Sequence, residues 1–166
     1  MILSLVTLLF TLSCKKGSEK AFVNAEIGKP APNFALKNLE GRQVSLSDFK
    51  GKVVVIEFWA TWCHACKETA PVLVSLYEKY KEQGLVVIGI TLDTGYGAEE
   101  NVRKFVEIHN QKYPILWDDK ITSKAYGAIK IPVTYVLDRD HIIRQEIIGY
   151  IKGYGEKLEE AVRKYL

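Results

Sequence analysis

The residues of this sequence with the clearest chemical potential are two cysteines separated by two other residues. They lie in Trp62-Cys63-His64-Ala65-Cys66, which follows the apolar stretch 53–56 and precedes a segment with helical periodicity. At a strand-to-helix turn, such a pair can carry out thiol–disulfide exchange: one sulfur attacks a disulfide as thiolate, and the second resolves the mixed disulfide. The unpaired N–H groups of a helix N-terminus lower the pKa of the first thiol. We therefore expect that thiol to be reactive at neutral pH.

A structural zinc site uses the same cysteine spacing, but it needs a second pair of ligands. The remaining cysteine, Cys14, lies in an apolar N-terminal stretch, and the histidines outside the motif, His109 and His141, stand alone. The pattern therefore favours redox chemistry over zinc, and we expect neither a metal nor a cofactor.

The composition is that of a globular domain. A chain of 166 residues can bury a sizeable core, and a content of 48% hydrophobic and 26% charged residues excludes a disordered or fibrous protein. The net charge is +3, and basic residues alternate with acidic ones. Because no basic patch is evident, we expect no binding to nucleic acid. We also expect a monomer.

The N-terminus has the features of an export signal. Residues 1–13 contain no charge and are rich in Leu, Ile, Val and Phe, which is typical of a signal-peptide core rather than a membrane span. Leu12-Ser13-Cys14 resembles a bacterial lipobox, although Thr11 stands where that motif usually has Leu and no Lys or Arg precedes the apolar stretch. We interpret 1–13 as a leader, 14–25 as a polar linker and 26–166 as the folded domain, with Cys14 as the lipidation site. An uncleaved anchor, another exported form and a cytosolic protein remain alternatives.

Hydrophobic periodicity predicts an α/β domain around the cysteine pair. A short hairpin (34–46), a helical turn (47–51), a buried strand (53–59) and a helix (63–83) that Gly84 ends are expected first. Further strands are predicted at 85–93, 114–117, 133–137 and 142–148, and further helices at 98–110, 121–126 and 155–166. This order predicts a mixed central sheet flanked by helices, with a parallel core and an antiparallel edge.

Several motifs occur in order from about residue 26 to the C-terminus. They are Gly28-Lys29-Pro30-Ala31-Pro32-Asn33-Phe34, Leu46-Ser47-Asp48-Phe49-Lys50-Gly51-Lys52-Val53, Phe58-Trp59-Ala60-Thr61-Trp62-Cys63, and Ile131-Pro132-Val133-Thr134-Tyr135-Val136-Leu137-Asp138. Together they resemble the TlpA/ResA-type thioredoxin-like proteins of the AhpC/TSA–Redoxin superfamily. The resemblance implies a thioredoxin-like fold with an N-terminal β-hairpin extension. It also implies a membrane-tethered protein that reduces disulfides in the periplasm or outside the cell, in settings such as cytochrome c maturation and copper delivery to oxidase.

The resemblance also assigns roles to individual residues. Cys63 corresponds to the attacking thiol and Cys66 to the resolving thiol. Pro132 matches a cis-proline opposite the disulfide, beside which a substrate strand can pair. Glu57 stands where thioredoxins have a buried acid, and a carboxylate with a raised pKa can accept the proton of Cys66. The alternative for Glu57 is a structural carboxylate paired with a lysine.

The sequence departs from the family pattern at three places. Ala65 replaces the usual proline between the cysteines. His64 can stabilise the Cys63 thiolate by partial positive charge, which shifts the potential toward oxidising. Thr69 stands where cytochrome-maturation members have a glutamate, and Glu68 comes one place early. This departure argues against an apocytochrome substrate but leaves the chemistry intact.

The interpretation for other polar and aromatic residues near the motif is mainly structural. Trp59 and Trp62 are expected to form the wall of the active site. Asp93, at the end of the predicted strand 85–93, is expected only to cap the following loop, and His109 is expected at the edge of the core.

The sequence leaves three functions to weigh. The favoured one is an oxidoreductase that reduces protein disulfides through Cys63 and Cys66 and is recycled by a membrane electron donor. A copper- or haem-handling chaperone, binding through the two cysteines and His64, is the alternative. A peroxiredoxin-type peroxidase is disfavoured, because Ile56 and Ala60 replace the Pro and Thr that precede the attacking Cys in those enzymes.

Overall fold

The computed structural model describes residues 25–166, so the proposed leader, most of the linker and Cys14 lie outside the described part of the chain. The strands are β1 (Ala35–Lys37), β2 (Gln43–Ser45), β3 (Val53–Trp59), β4 (Leu85–Thr91), β5 (Ile115–Trp117), β6 (Val133–Leu137) and β7 (Ile143–Ile148). The α-helices are α1 (His64–Tyr80), α2 (Ala98–Ile108), α3 (Ile121–Ala125) and α4 (Tyr154–Tyr165), and 3₁₀ turns lie at Leu46–Phe49 and Lys81–Gln83.

Five strands form the central sheet in the order β5-β4-β3-β6-β7, and β1 pairs with β2 in a separate antiparallel hairpin. β3 pairs in parallel with β4, and β4 with β5, whereas β6 runs antiparallel to both β3 and β7. All seven residues of β3 are buried. A strand without polar alternation is typical of a sheet that is covered on both faces. The predicted mixed sheet and N-terminal hairpin are confirmed.

The two faces of the sheet contribute to two separate cores. Val53, Val55 and Trp59 of β3 pack with buried residues of α1, α2 and α4, including Leu73, Val102 and Leu158. Val54, Ile56 and Phe58 pack on the other face with residues of the hairpin and its surroundings, including Leu36, Leu46 and Tyr126. Because side chains of a strand alternate between faces, Glu57 points toward the α1 side with Val55 and Trp59.

The residues of the predicted site lie at one end of the sheet. Trp59 is paired with Thr91, Phe58 with Val133, and Val133 with Ile148. The last residues of β3, β4 and β7 and the first residue of β6 therefore lie together, and we call this the Cys63 end of the sheet. The opposite end holds the start of β3 and the end of β6.

The largest difference from the predicted elements lies at the end of the first long helix. The sequence predicted one helix over 63–83, but α1 ends at Tyr80 and the 3₁₀ turn Lys81–Gln83 follows it. Gly84 then adopts a left-handed conformation with φ 101°, which a glycine accepts at little cost. The predicted C-cap is therefore correct, although the helix tightens before it.

Gly89 of β4 lies against two buried side chains, and this close packing supports a prediction on stability. A Cβ atom at this position would lie 2.8 Å from both Ile115 Cδ1 and Trp59 Nε1, and both side chains are buried. Because neither has room to move away, we expect Gly89→Ala to lower the free energy of unfolding by roughly 1–3 kcal/mol in urea denaturation.

Gly155 provides the matched control for Gly89. A Cβ there would make an ordinary 3.5 Å contact with Val72, and the residue lies in α4. Gly155→Ala should leave the protein equally stable or slightly more stable, because alanine favours helix. Equal effects of the two substitutions would contradict the close packing at Gly89.

Candidate active site

The two cysteines lie at the N-terminus of α1. Cys63 is the N-cap residue, and Cys66 is in the first turn, where its N–H donates to Cys63 Sγ at 3.2 Å. The sulfurs are joined in a disulfide, with the Cα atoms 5.3 Å apart. Cys63 retains 7% exposure and Cys66 only 1%. The helix N-terminus thus directs an N–H group and positive potential at the more accessible sulfur, which favours its thiolate.

The loop that carries Cys63 is held by the carboxylate of Asp93, which lies just after β4. Asp93 accepts the N–H of Thr61 at 2.8 Å and the Thr61 hydroxyl at 2.6 Å, and it also accepts the Thr91 hydroxyl at 2.7 Å. The expectation that Asp93 only caps its own loop is wrong, because it fixes the turn that leads into the cysteines. Its position just after β4, the parallel neighbour of β3, is the sequence signal that could have revealed this.

Glu57 lies beneath the cysteines on the α1 side of β3, with 1% exposure. Burial raises its pKa from 4.5 to about 8, and a hydrogen bond with the Thr69 side chain opposes part of that rise. The Thr69 hydroxyl lies 3.1 Å from the carbonyl oxygen of Cys66, so its single proton can be donated to that oxygen or to the carboxylate. One threonine therefore connects the buried acid with the backbone of the second cysteine.

No lysine of the described residues 25–166 pairs with this carboxylate. None of the ion pairs within residues 25–166 includes Glu57, and its Oε1 atom has no hydrogen-bond partner there. Its partner in β6 is Thr134, whose hydroxyl lies 2.8 Å from the Tyr154 hydroxyl. Burial raises the pKa of Tyr154 and of Tyr113 well above the usual range, and the Glu57 charge adds to both shifts. The alternative in which Glu57 is a structural carboxylate paired with a lysine is therefore wrong for the described residues. With a pKa of about 8, the Glu57 carboxyl can gain or lose a proton near that pH.

Pro132 lies at the start of β6, at the Cys63 end of the sheet. The Ile131–Pro132 peptide bond is cis, and the Pro132 carbonyl accepts the N–H of Gly149 at 2.7 Å. Ile131 packs against the core cluster that contains both cysteines. Within residues 25–166, neither the N–H nor the C=O of Ile131 has a hydrogen-bond partner. These groups are the kind that an added strand can use.

The two tryptophans of the motif have different environments. Trp59 is 1% exposed, its ring centroid lies 4.6 Å from that of Phe105, and it belongs to the buried cluster that contains both cysteines, so it lies behind the site and not on its exposed surface. Trp62 is 69% exposed beside Cys63. The ring centroid of His109 lies 4.2 Å from that of Phe105, consistent with the predicted place of His109 at the edge of the core. Burial and the charge of Lys67 lower the pKa of His109.

His64 is the first residue of α1, and its side chain is exposed next to the disulfide. The structure therefore places Cys63, Cys66, Glu57, Trp62, His64 and Pro132 around one end of the sheet. Among residues 25–166, no group of three or more His, Cys, Asp or Glu side chains is arranged to hold a metal ion. Within the same residues, no helix combines the length and the apolar character that crossing a membrane requires.

Known proteins share both the sequence and the fold. The AhpC/TSA family model matches residues 27–146. The thiol–disulfide oxidoreductase ResA of Bacillus thuringiensis subsp. konkukian is 40% identical over 140 residues, which cover 84% of this chain and 78% of that relative. The thioredoxin-like protein YneN of Bacillus subtilis is 35% identical over 142 residues, covering 84% and 83% of the two chains.

A solved structure of a Chlorobium tepidum protein, described as the thiol:disulfide interchange protein DsbE, superposes with a TM-score of 0.77 at 30% identity. The similarity covers 84% of this chain and 97% of that one, which extends the agreement to the arrangement of helices and strands. A CxxC dithiol at a helix N-terminus, on this fold and with these relatives, leads to one conclusion. The chain belongs to the AhpC/TSA family and is a TlpA/ResA-type thiol–disulfide oxidoreductase.

Proposed function

We propose that this oxidoreductase reduces disulfides of protein substrates through a cycle of the Cys63–Cys66 dithiol and disulfide. The observation that carries the proposal is the position of the two sulfurs at the N-terminus of α1, with Cys63 the more exposed. In the cycle, the Cys63 thiolate attacks one substrate sulfur, which forms a mixed disulfide and releases the other substrate sulfur as a thiolate. Cys66, after losing its proton, attacks Cys63 Sγ and releases the second substrate thiolate. The substrate gains two electrons, and the protein becomes the disulfide.

Glu57 is proposed as the group that accepts the Cys66 proton. It lies on the face of β3 that packs against α1, and Thr69 lies between its carboxyl and the Cys66 backbone. A pKa of about 8 makes the carboxylate a strong enough base to take a thiol proton. In the reverse step, the protonated acid returns the proton to the leaving Cys66 sulfur when an electron donor reduces the disulfide.

The direction of electron flow depends mainly on the partner that recycles the protein. His64, exposed beside Cys63, favours the thiolate and thereby makes the disulfide a better oxidant. A change of about 30 mV corresponds to only about 1.4 kcal/mol for this two-electron couple, so one side chain adjusts the potential without reversing the role. The family resemblance supports a protein that a membrane electron donor keeps reduced.

We further propose that the protein acts outside the cytoplasm as a lipoprotein tethered through Cys14. The support lies in the uncharged residues 1–13, the Leu12-Ser13-Cys14 sequence and the polar linker that follows. An odd cysteine outside the redox pair needs a separate role, and acylation provides one. Because one lipid chain gives only reversible membrane binding, stable anchoring would require a second chain, as in dual acylation.

The order of the two thiols is tested by exchanging each for serine. We expect Cys63→Ser to reduce disulfide exchange to background, because the attacking sulfur is gone. Cys66→Ser should retain the first step and accumulate mixed disulfides, which non-reducing electrophoresis and mass spectrometry detect. The proposal would be contradicted if a thiol reagent labelled both cysteines of the reduced protein equally at neutral pH.

The raised pKa of Glu57 predicts how stability changes with pH. The carboxyl has a pKa of about 8 in the folded oxidised protein and 4.5 as the reference value for the unfolded chain. Its protonated form therefore contributes stability that is complete below pH 4.5 and is lost as the pH rises through about 8. Glu57→Gln should remove this loss and stabilise the oxidised protein at pH 9 by on the order of a few kcal/mol, measured by urea denaturation.

The same substitution should slow decay of the mixed disulfide and abolish the dependence of that decay on pH near 8, because no carboxylate then accepts the Cys66 proton. Glu68→Gln is the matched control, since Glu68 is an exposed carboxylate on α1, the helix that carries Cys66. It should leave the pH profiles of both stability and decay unchanged. If Glu57→Gln also leaves both profiles unchanged, Glu57 has no part in proton transfer.

The membrane tether is tested on the full chain in its native compartment. If Cys14 is acylated, detergent but not salt should release the mature protein from membranes, and Cys14→Ser should abolish the lipid mass. Thiol–disulfide exchange of the Cys14→Ser protein should be unaffected, because Cys14 precedes the described domain. An intact leader, or cleavage elsewhere, would exclude the lipoprotein but not the oxidoreductase.

A further inference from the structure

Three loops surround Cys63 at the Cys63 end of the sheet. They are residues 60–65, which run from the end of β3 into the first turn of α1, residues 127–132 before β6 and residues 149–153 after β7. The hydrogen bond from Gly149 N–H to the Pro132 carbonyl joins the second loop to the third, and Ile131 packs against the cluster that contains Cys63. A polypeptide whose disulfide reaches Cys63 therefore contacts a surface formed by these loops, which we call the substrate rim.

The substrate rim exposes large apolar side chains. Trp62 is 69% and Ile129 92% exposed, and Tyr150 and Ile151 are also exposed. Nine large apolar side chains are exposed in residues 25–166, and four of them lie on this rim. Apolar groups left exposed around a reactive centre are typical of a surface that contacts another protein. With the unpaired backbone groups of Ile131, they suit a polypeptide in extended conformation.

The charges of the substrate rim have one sign. Lys130 precedes Ile131, Lys152 follows Ile151, and both are exposed, while His64 adds a titratable ring; the three loops contain no Asp or Glu. None of the ion pairs within residues 25–166 uses either lysine. Three acids lie near the rim but outside its loops. Asp93 is buried against Thr61, Glu68 lies on α1, and Glu156 lies in the first turn of α4 next to Gly153. The chain as a whole is nearly balanced, with 23 basic and 20 acidic residues, so this local excess is not a consequence of composition.

We propose that the substrate rim selects an extended polypeptide segment with acidic side chains close to its reactive cysteine. Lys130 and Lys152 are the specificity-determining residues, and the exposed apolar side chains provide contact that does not depend on sequence. Complementary charge at a rim mainly raises the rate of association and discriminates between partners. This inference rests on the proposed reduction of protein disulfides and adds the class of segment that is preferred.

The test compares two blocked peptides of equal length, each with one cysteine held as a mixed disulfide with β-mercaptoethanol. One peptide has glutamates beside the cysteine and the other has lysines. The second-order rate with the reduced protein is divided by the rate with free β-mercaptoethanol, which removes the intrinsic reactivity of each peptide. We expect a normalised rate about tenfold higher for the glutamate peptide at low salt. The ratio should approach one in about 1 M salt, where the Debye length is about 3 Å.

Charge reversal on the protein provides the decisive comparison. The double variant Lys130→Glu/Lys152→Glu should reverse the preference. Lys50→Glu/Lys52→Glu changes the net charge equally, but these exposed lysines precede β3 at the opposite end of the sheet, so the preference should remain. The preference is the ratio of the two normalised peptide rates measured with one protein, so a change in the reactivity of Cys63 cancels from it. Reduction of uncharged hydroxyethyl disulfide by each of the three proteins shows that the protein is folded and reactive.

The outcomes separate the inference from the proposed function. Equal normalised rates for the two peptides, with hydroxyethyl disulfide still reduced, would overturn the acidic preference alone. An equal loss of preference in both double variants would show that net charge, not the rim, is responsible, and would overturn it too. Failure of the unmodified protein to reduce any of the disulfides would overturn the proposed function together with the inference.

Discussion

Burial of β3 on both faces is the constraint on which the rest of the structure depends. The strand carries a carboxylate, Glu57, among residues that are almost all apolar, and the helices above it exclude water from that carboxylate. Because burial penalises the charged form and no cationic side chain of residues 25–166 pairs with it, the pKa of Glu57 rises to about 8. The same helices include α1, whose N-terminus presents the cysteines. One packing arrangement thus places the cysteines at a helix N-terminus and a carboxyl with a raised pKa beneath them.

The structure divides chemistry and recognition between different parts of the chain. The groups that exchange electrons and protons lie within or directly beneath α1, where burial fixes their geometry. The groups available to a substrate lie on loops that precede β6 and follow β7, which the antiparallel half of the sheet brings to the same end. Substitutions in loops usually have little effect on the stability of the fold, because few core contacts depend on loop side chains. This division allows one dithiol core to serve different protein substrates.

Asp93 and Thr69 show how polar side chains hold the site without taking part in electron transfer. Asp93 uses both carboxylate oxygens to fix Thr61, so the turn before Cys63 is anchored to the end of β4. Thr69 connects Cys66 with Glu57 from within α1.

The sequence by itself determined the order of the elements, the mixed sheet and the cysteine pair at a strand-to-helix turn. Those features depend on periodicity, on glycines at turns and on residue spacing, which are local properties. It could not determine that Trp59 is buried against Phe105, that Asp93 binds Thr61, or that Glu57 is buried with no cationic partner among the described residues. Each of these depends on which residues of distant strands and helices meet, and strand register and helix packing decide that only in the folded chain. The positive charge of the substrate rim also depends on the tertiary structure. Lys130 and Lys152 are far apart in sequence, and the pairing of β6 with β7 brings their loops to one end of the sheet.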